Sequence, residues 1–391
     1  MLSSNIPTRY INSPEPPFNY KFQHMTPLTH IEATQLLEQL IATPSLSREE
    51  DATATLLAEF LQKQGITPHR HHNNVWAYAK DYNPQKPTLL LNSHHDTVKP
   101  WVNDDVENQT DDSVFSPFEP VRKDGKLYGL GSNDAGASLV SLITTFCNYY
   151  TTPLPFNLIL LLSAEEEISG PKGIRSILPL WKERNINIDM AIVGEPTEMQ
   201  AAIGERGLVV IDAYAKGVRG HAARNEGENA LYKAITDIQT LQDFRFNKQS
   251  ALLGPININV TQIQAGQQHN VVPDLCHFVI DIRTTDAYTN EEVIAMLQEQ
   301  LTSQLTPRST HIRASAISET HPLVVAAQQL HTKLFVSPTT SDMALMPFPS
   351  IKLGAGKSTR SHSKNEYVEI TEIQQAINYY HQYIQTLATI L

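Results

Sequence analysis

Cysteine is almost absent from this 391-residue chain: only Cys147 and Cys276 occur, far apart and each in an apolar setting. That scarcity excludes a disulfide framework and a cysteine-rich metal module, and it fits a reducing cytoplasm with two buried free thiols. A basic excess is missing too. With 30 Lys and Arg against 41 Asp and Glu the formal net charge is −11, which argues against nucleic acid or an anionic membrane as a partner. No apolar run is long enough to cross a bilayer. Residues 1–25 are rich in Pro, Asn and Ser and lack the apolar stretch of a signal peptide, so they read as an N-terminal arm. Internal repeats are absent. The chain is too long for one ordinary compact core, and two domains are expected.

What is present is an alternation of helix and strand patterns. Leu28, Ile31, Leu36, Leu37, Leu40 and Ile41 recur at helical spacing. Ser47, with Glu50 three residues later, reads as a capping box that opens a second helix through Leu56, Leu57, Phe60 and Leu61. Residues 88–92, 157–162 and 188–193 are short apolar runs suited to buried strands of a mostly parallel sheet, and 139–146 carry a helical apolar face between the first two. This is the signature of a doubly wound α/β domain. Near 204–207 the texture changes. Residues 208–215, 257–264 and 277–284 alternate like half-buried strands, interleaved with helical patterns at 230–244 and 291–305. A helix at 322–334, a strand at 350–353 and a helix at 371–391 then resume the first pattern. The expected organisation is an α/β catalytic domain at 26–204 and 317–391, interrupted by a smaller α+β insert at 205–316 with an antiparallel sheet. The acidic stretch 102–112 reads as a solvated loop.

Each chemically capable cluster follows one of these apolar runs or opens a helix. His94 and Asp96 are two residues apart, a spacing that lets them share one face at a strand's end. Asp134 closes the segment Gly129-Leu130-Gly131-Ser132-Asn133-Asp134 and opens the next helix. Glu165-Glu166-Glu167 follows the second run, Glu195 in Gly194-Glu195-Pro196 the third, and His362 the last, after Gly354-Ala355-Gly356. Singly, such residues are ordinary surface groups. Five clusters converging on one sheet edge, where open α/β sheets build their sites, point to a metal-activated hydrolase. His69, His71 and His72 read as solvated rather than as a second metal site.

In this order the motifs resemble those of the di-zinc amidohydrolases that include acetylornithine deacetylase, succinyl-diaminopimelate desuccinylase, aminoacylase and the glutamate-releasing carboxypeptidases. That family carries His-x-Asp, Gly-x-Gly-x-x-Asp, Asp/Glu-Glu-Glu, Gly-Glu-Pro and a late His followed by Asn-Glu-Tyr, here Asn365-Glu366-Tyr367. The resemblance implies two divalent ions per chain, zinc with cobalt or manganese as alternatives. It assigns one ion to His94 and Glu195 and the other to Glu167 and His362, with Asp134 bridging and Asp96 orienting His94. Glu166 would be the general base. A shifted register, with Glu165 as base and Glu166 as ligand, stays open. His95 falls between motif positions and is not expected to bind metal. The resemblance also implies a ferredoxin-like fold for the insert, which would serve as lid and dimerisation domain of a homodimer, and a cis peptide after Asp134.

The implied reaction is hydrolysis of the amide of a small N-acyl amino acid. His221, reaching from the partner subunit, would steady the tetrahedral oxyanion. Asn270, Arg283, Ser341 and the Gly354 loop with its backbone N–H groups would grip the substrate. Arg360 is a second candidate for that grip, with a plain surface role as its alternative. Three features favour an acyl-ornithine or acyl-citrulline substrate in an arginine-making route. Two are the layout of the run from Gly354 through His362 to Glu366-Tyr367 and the phrase Ser93-His94-His95-Asp96-Thr97-Val98-Lys99-Pro100 together with 129–137. The third is Gly204-Glu205-Arg206-Gly207, where diaminopimelate desuccinylases typically carry two arginines. Succinyl-diaminopimelate and peptide substrates are the alternatives, and a non-catalytic binding protein is the reading of a different class.

Overall fold

The computed structural model describes residues 27–100, 115–224 and 226–391. The expected arm at 1–25 and the acidic stretch at 102–112 lie outside the described residues. Two helices open the described chain, His30–Ile41 and Asp51–Lys63. The first is closed at its start by a capping box between Thr29 and Glu32, and it buries Leu36, Leu37 and Leu40. The second corrects an expectation. Glu50 is its N-cap residue but makes no side-chain cap bond. The Ser47 hydroxyl instead donates to Asp96, and the Glu50 carboxylate accepts from Arg48, Asn73 and Glu165. Partners elsewhere in the chain have taken both side chains away from the helix end.

The central sheet runs, in spatial order, His69–His71, Asn74–Tyr78, Asn157–Ser163, Thr88–His94, Met190–Val193, Ser350–Lys352, Ala201–Glu205 and Ser315–Ala316, with Leu334–Ser337 also pairing Ala201–Glu205. The four strands from Asn157–Ser163 to Ser350–Lys352 are mutually parallel. They are buried along their whole length; the apolar runs in the first three anticipate this, while the buried Lys352 of the fourth pairs with Glu205. Alternate side chains serve opposite faces. Leu89 and Leu91 join a core with Leu142, Phe146 and Tyr380, while Leu90 joins Trp76, Ile177 and Trp181. The register aligns His94 with Ser163, Asn92 with Val193, and Val193 with Lys352. All four strands therefore deliver their following residues to one edge.

The insert is a second unit with its own core. Its strands Gly207–Lys216, Asn257–Ala265, Leu275–Thr284 and Gln304–Pro307 form an antiparallel sheet in which Leu275–Thr284 and Gly207–Lys216 are central. Helices Ala230–Asp243 and Asn290–Gln300 give it the ferredoxin-like order β-α-β-β-α-β. Two expected helices are shorter than their apolar spacing predicts. The segment expected helical over 291–305 stops at Gln300, because Gln304–Pro307 pairs with the edge of Gly207–Lys216. The segment expected over 322–334 stops at Gln329; His331 takes a left-handed backbone, and Leu334–Ser337 joins the main sheet. Among the described residues no helix is long and apolar enough to cross a membrane.

Phe278, fully buried in the insert core with Ile211 and Leu297, tests whether the two cores are independent. Phe278→Ala is expected to cost about 3–5 kcal/mol, and hydrogen exchange should show lost protection confined to the insert. Equal loss in the Thr88–His94 strand would contradict separate cores.

Candidate active site

The edge where the parallel strands end collects carboxylates and imidazoles. His94 terminates its strand, and its Nε2 lies 3.3 Å from Asp134 Oδ1, 3.8 Å from Glu195 Oε1 and 3.9 Å from Glu166 Oε2. His362 Nε2 lies 3.2 Å from Glu167 Oε1 and 3.6 Å from Asp134 Oδ2. Asp134 thus turns one oxygen to each histidine. The peptide Asp134–Ala135 is cis, as the resemblance implied. Among the described residues, two groups offer ligand atoms that lie mutually within 4.8 Å: His94, Asp134 and Glu195, and Asp134, Glu167 and His362. Glu165 points elsewhere. Its backbone is left-handed at φ 54° and its carboxylate accepts the Lys172 N–H at 3.0 Å.

The residues behind this cluster are as ordered as the cluster itself. His94 Nδ1 meets the main-chain carbonyl of Asp96 at 3.0 Å, while the Asp96 carboxylate lies 3.4 Å away. The Asp96 carboxylate accepts the N–H groups of Glu166 and Glu167 at 3.0 and 3.2 Å. It therefore fixes the glutamate turn as well as facing the imidazole. Glu366, quoted in the late motif without a role, accepts the N–H groups of Gly131, Asn133 and Asp134. It holds the turn that aims Asp134. His95 is buried between the Thr53 hydroxyl and the Asn73 carbonyl, each 2.9 Å away, which engages both ring nitrogens.

Crowding shapes the electrostatics. Burial pushes Glu195 up to about 8, opposed by His94 and reinforced by Asp134. Burial likewise raises Glu166 well above the carboxylate range, against the pull of His94. Glu366 is pushed up to about 7 by burial despite its three amide donors, and Asp342, bonded to the Ser163 hydroxyl, to about 6. His362 is raised to about 9, chiefly by its hydrogen bond to Glu167. His94 loses charge stability through burial, yet the carboxylates around it outweigh that and hold it well above the usual imidazole range. Negative charge this dense calls for cations.

The residues expected to grip substrate separate into two groups. His221 and Asn270 are exposed and adjacent on a short antiparallel ribbon, Gly220–His221 with Val271–Val272, where Ala222 N–H donates to the Asn270 carbonyl. Arg283 is half-exposed and makes two hydrogen bonds to Asp281, at 2.9 and 3.2 Å. Three others are engaged within the fold. Ser341 is buried and its hydroxyl donates to Glu205 at 3.0 Å, so it braces the fold instead of lining a pocket. Gly354 is buried behind Glu195, and its N–H is committed to the Thr197 hydroxyl at 3.0 Å. A Cβ there would lie 2.4 Å from the Glu195 carbonyl, so glycine is needed for close approach. Arg360 is bound to Glu372 at 2.6 Å and lies over the Tyr367 ring, tying the His362 loop to the last helix. Glu205, read as a missing positive charge, is buried in an ion pair with Lys352 at 3.0 Å. Nothing in the sequence marked that partner.

The donor set fits divalent cations. Imidazole nitrogen and carboxylate oxygen are the ligands of zinc and its neighbours. Glu195 Oε1 is buried without any hydrogen-bond partner among the described residues, although it lies 3.8 Å from His94 Nε2. A buried carboxylate oxygen with no hydrogen-bond donor suits a metal ligand.

Similarity to known proteins extends over most of the chain. A model of peptidase family M20/M25/M40 matches residues 90–386. The succinyl-diaminopimelate desuccinylase of Delftia acidovorans is 26% identical over 386 residues, covering 90% of this chain and 97% of that protein. The aminopeptidase PepT of Bacillus cereus superposes with a TM-score of 0.72 at 16% identity, covering 93% of this chain and 100% of that one. The Bacillus subtilis YXEP protein, described as a dinuclear metal-binding peptidase of the M20 family, gives 0.63 at 16% identity over 92% and 98%.

Cations that bind only the folded chain should stabilise it by about 2.7 kcal/mol at a hundredfold excess over Kd. Thermal unfolding with zinc and with chelator measures this, and identical midpoints would contradict a metal site. Gly354→Ala should fold yet bind zinc about 10–100-fold more weakly by displacing Glu195. Unchanged affinity would remove Gly354 from that supporting role.

Proposed function

The chain belongs to peptidase family M20/M25/M40, and on that premise we propose that it hydrolyses the amide bond of an N-acyl amino acid, releasing a carboxylate and the free amino acid. The observation that carries this reading is the shared Asp134, one oxygen 3.3 Å from His94 and the other 3.6 Å from His362, with Glu166 alongside. His94, Glu195 and Asp134 would hold one divalent cation, and Glu167, His362 and Asp134 the other. When bound, such a pair lowers the pKa of water and polarises the scissile carbonyl. Glu166 takes the proton of the attacking water and returns it to the leaving nitrogen. The Glu166–Glu167 register is preferred because the Glu165 carboxylate is engaged with Lys172 and turned under the loop.

His221 is proposed as the oxyanion donor of a neighbouring subunit in a homodimer. Its exposure, with Asn270 beside it on the insert, supports a role outside its own chain. The exposed edge strand Asn257–Ala265 and the outward Tyr232 and Ile263 offer the insert a surface for such a contact. For the amino acid we favour the ornithine or citrulline type, with an acetyl or succinyl group. Glu205 and Lys352 neutralise each other inside the fold, so position 205 offers no cation to a second substrate carboxylate. Arg283 would bind the remaining one by exchanging Asp281 for it.

Three experiments follow from these roles. The zinc-loaded protein should release acyl groups from N-acetyl- or N-succinyl-ornithine or -citrulline faster than from succinyl-diaminopimelate or dipeptides. Preference for the latter would keep the mechanism and reject the substrate. Glu166→Gln should retain metal and abolish turnover, and an active variant would revive the Glu165 register. His221→Ala should lower kcat about 10²–10³-fold, and mixing it with Glu166→Gln should restore activity through mixed dimers. No recovery on mixing would argue against a donor supplied in trans.

A further inference from the structure

We infer that Glu50 and Ser47, in the segment between the first two helices, are positioning residues that hold the Glu165–Glu167 turn and so aim Glu166. The inference rests on the reading of Glu166 as the general base. Glu165 occupies the left-handed region at φ 54°. A side chain with a Cβ stays there only where its surroundings over-determine it. Here they do. Glu50, fully buried, accepts the Glu165 N–H at 3.2 Å and the Arg48 N–H at 2.6 Å on the same oxygen. Arg48 is itself left-handed at φ 81°, so one carboxylate oxygen secures two strained residues from distant parts of the chain. The other oxygen accepts from Asn73 at 2.8 Å.

Ser47 completes the arrangement. Its hydroxyl donates to Asp96 Oδ2 at 2.7 Å, the oxygen that also accepts the Glu167 N–H, while Oδ1 accepts that of Glu166. Three consecutive backbone N–H groups, those of Glu165, Glu166 and Glu167, therefore end on two buried carboxylates. The Ser47 N–H donates to the Thr97 carbonyl, and Leu46 pairs with Thr97, which pins the segment beside Asp96. From the far side, Gly170 and Gly173 leave room for the turn. A Cβ at 170 would come 2.0 Å from the Glu165 carboxylate, and one at 173 would come 2.3 Å from the Ala164 carbonyl. Without the Glu50 acceptor the left-handed residue 165 loses the partner of its own N–H, and relaxation there would swing Glu166 away from its place 3.9 Å from His94. A merely structural helix cap is excluded as the role of Glu50, since its side chain makes no cap bond.

The test compares zinc-loaded variants by kcat, KM and bound zinc. Glu166→Gln comes first: if it keeps turnover, the reading of the base fails, whatever Glu50 does. If it is inactive, Glu50→Ala should lower kcat about 10²-fold and Ser47→Ala about 10-fold, the scale of a small misplacement of a catalytic group. KM should be unchanged, and kcat is compared per bound zinc because the candidate ligand Glu167 lies on the same turn. Glu50→Gln, which keeps an acceptor oxygen for the two N–H groups, should recover most of the rate. Leu57→Ala, in the buried face of the adjoining helix, controls for general destabilisation and should keep kcat. Wild-type kcat in Glu50→Ala and Ser47→Ala, or an equal loss in Leu57→Ala, would overturn the inference. Should Glu50→Ala fail to fold, Ser47→Ala at the wild-type rate alone would overturn it.

Discussion

Asp134 stands between two imidazoles with one oxygen for each, and the rest of the molecule is arranged around that bridge. A carboxylate in such a place is costly: it lies among Glu166, Glu167 and Glu195, and burial raises the pKa of the last to about 8. The fold carries this cost through geometry that cannot easily relax. Four parallel strands, buried on both faces, bring His94, the glutamate turn, Glu195 and the His362 loop to one edge. Glu366 holds the Asp134 turn by three main-chain N–H groups. Asp96 does the same for the glutamate turn. Carboxylates thus appear twice, in front as candidate metal ligands and behind to hold the backbone that presents the front ones.

This double use explains which parts of the site were legible in the sequence. His94, Asp134, Glu195 and His362 follow apolar runs or open a helix, and strand periodicity places such residues at a sheet edge. The insert was legible too, because Leu208 to Ala215 alternates as a half-buried strand must. Residues whose partners are remote were misread. Ser47 and Glu50 have the spacing of a capping box, yet they bond Asp96 and Glu165, 49 and 115 positions away. Ser341 and Arg360 lie near site motifs but serve buried or helix-start partners, Glu205 and Glu372. Local spacing cannot distinguish these cases, since the deciding bonds exist only once the sheet is assembled.

The two units divide the chemistry. The α/β domain holds every group of the metal cluster, whereas His221 and Asn270 ride on an exposed ribbon of the insert. The insert has an independent core around Ile211, Phe278 and Leu297. Its strands attach beside Glu205, which is locked to Lys352 and Ser341 within the main sheet. The junction is therefore anchored by a buried ion pair, where truncating one partner would strand the other charge.

The bridging role of Asp134 is the central claim, and counting bound zinc tests it most directly. Elemental analysis of the reconstituted protein, after removal of free metal, should find two zinc ions per wild-type chain and fewer than two in Asp134→Ala. One ion in the wild type, or two still held by Asp134→Ala, would contradict the account.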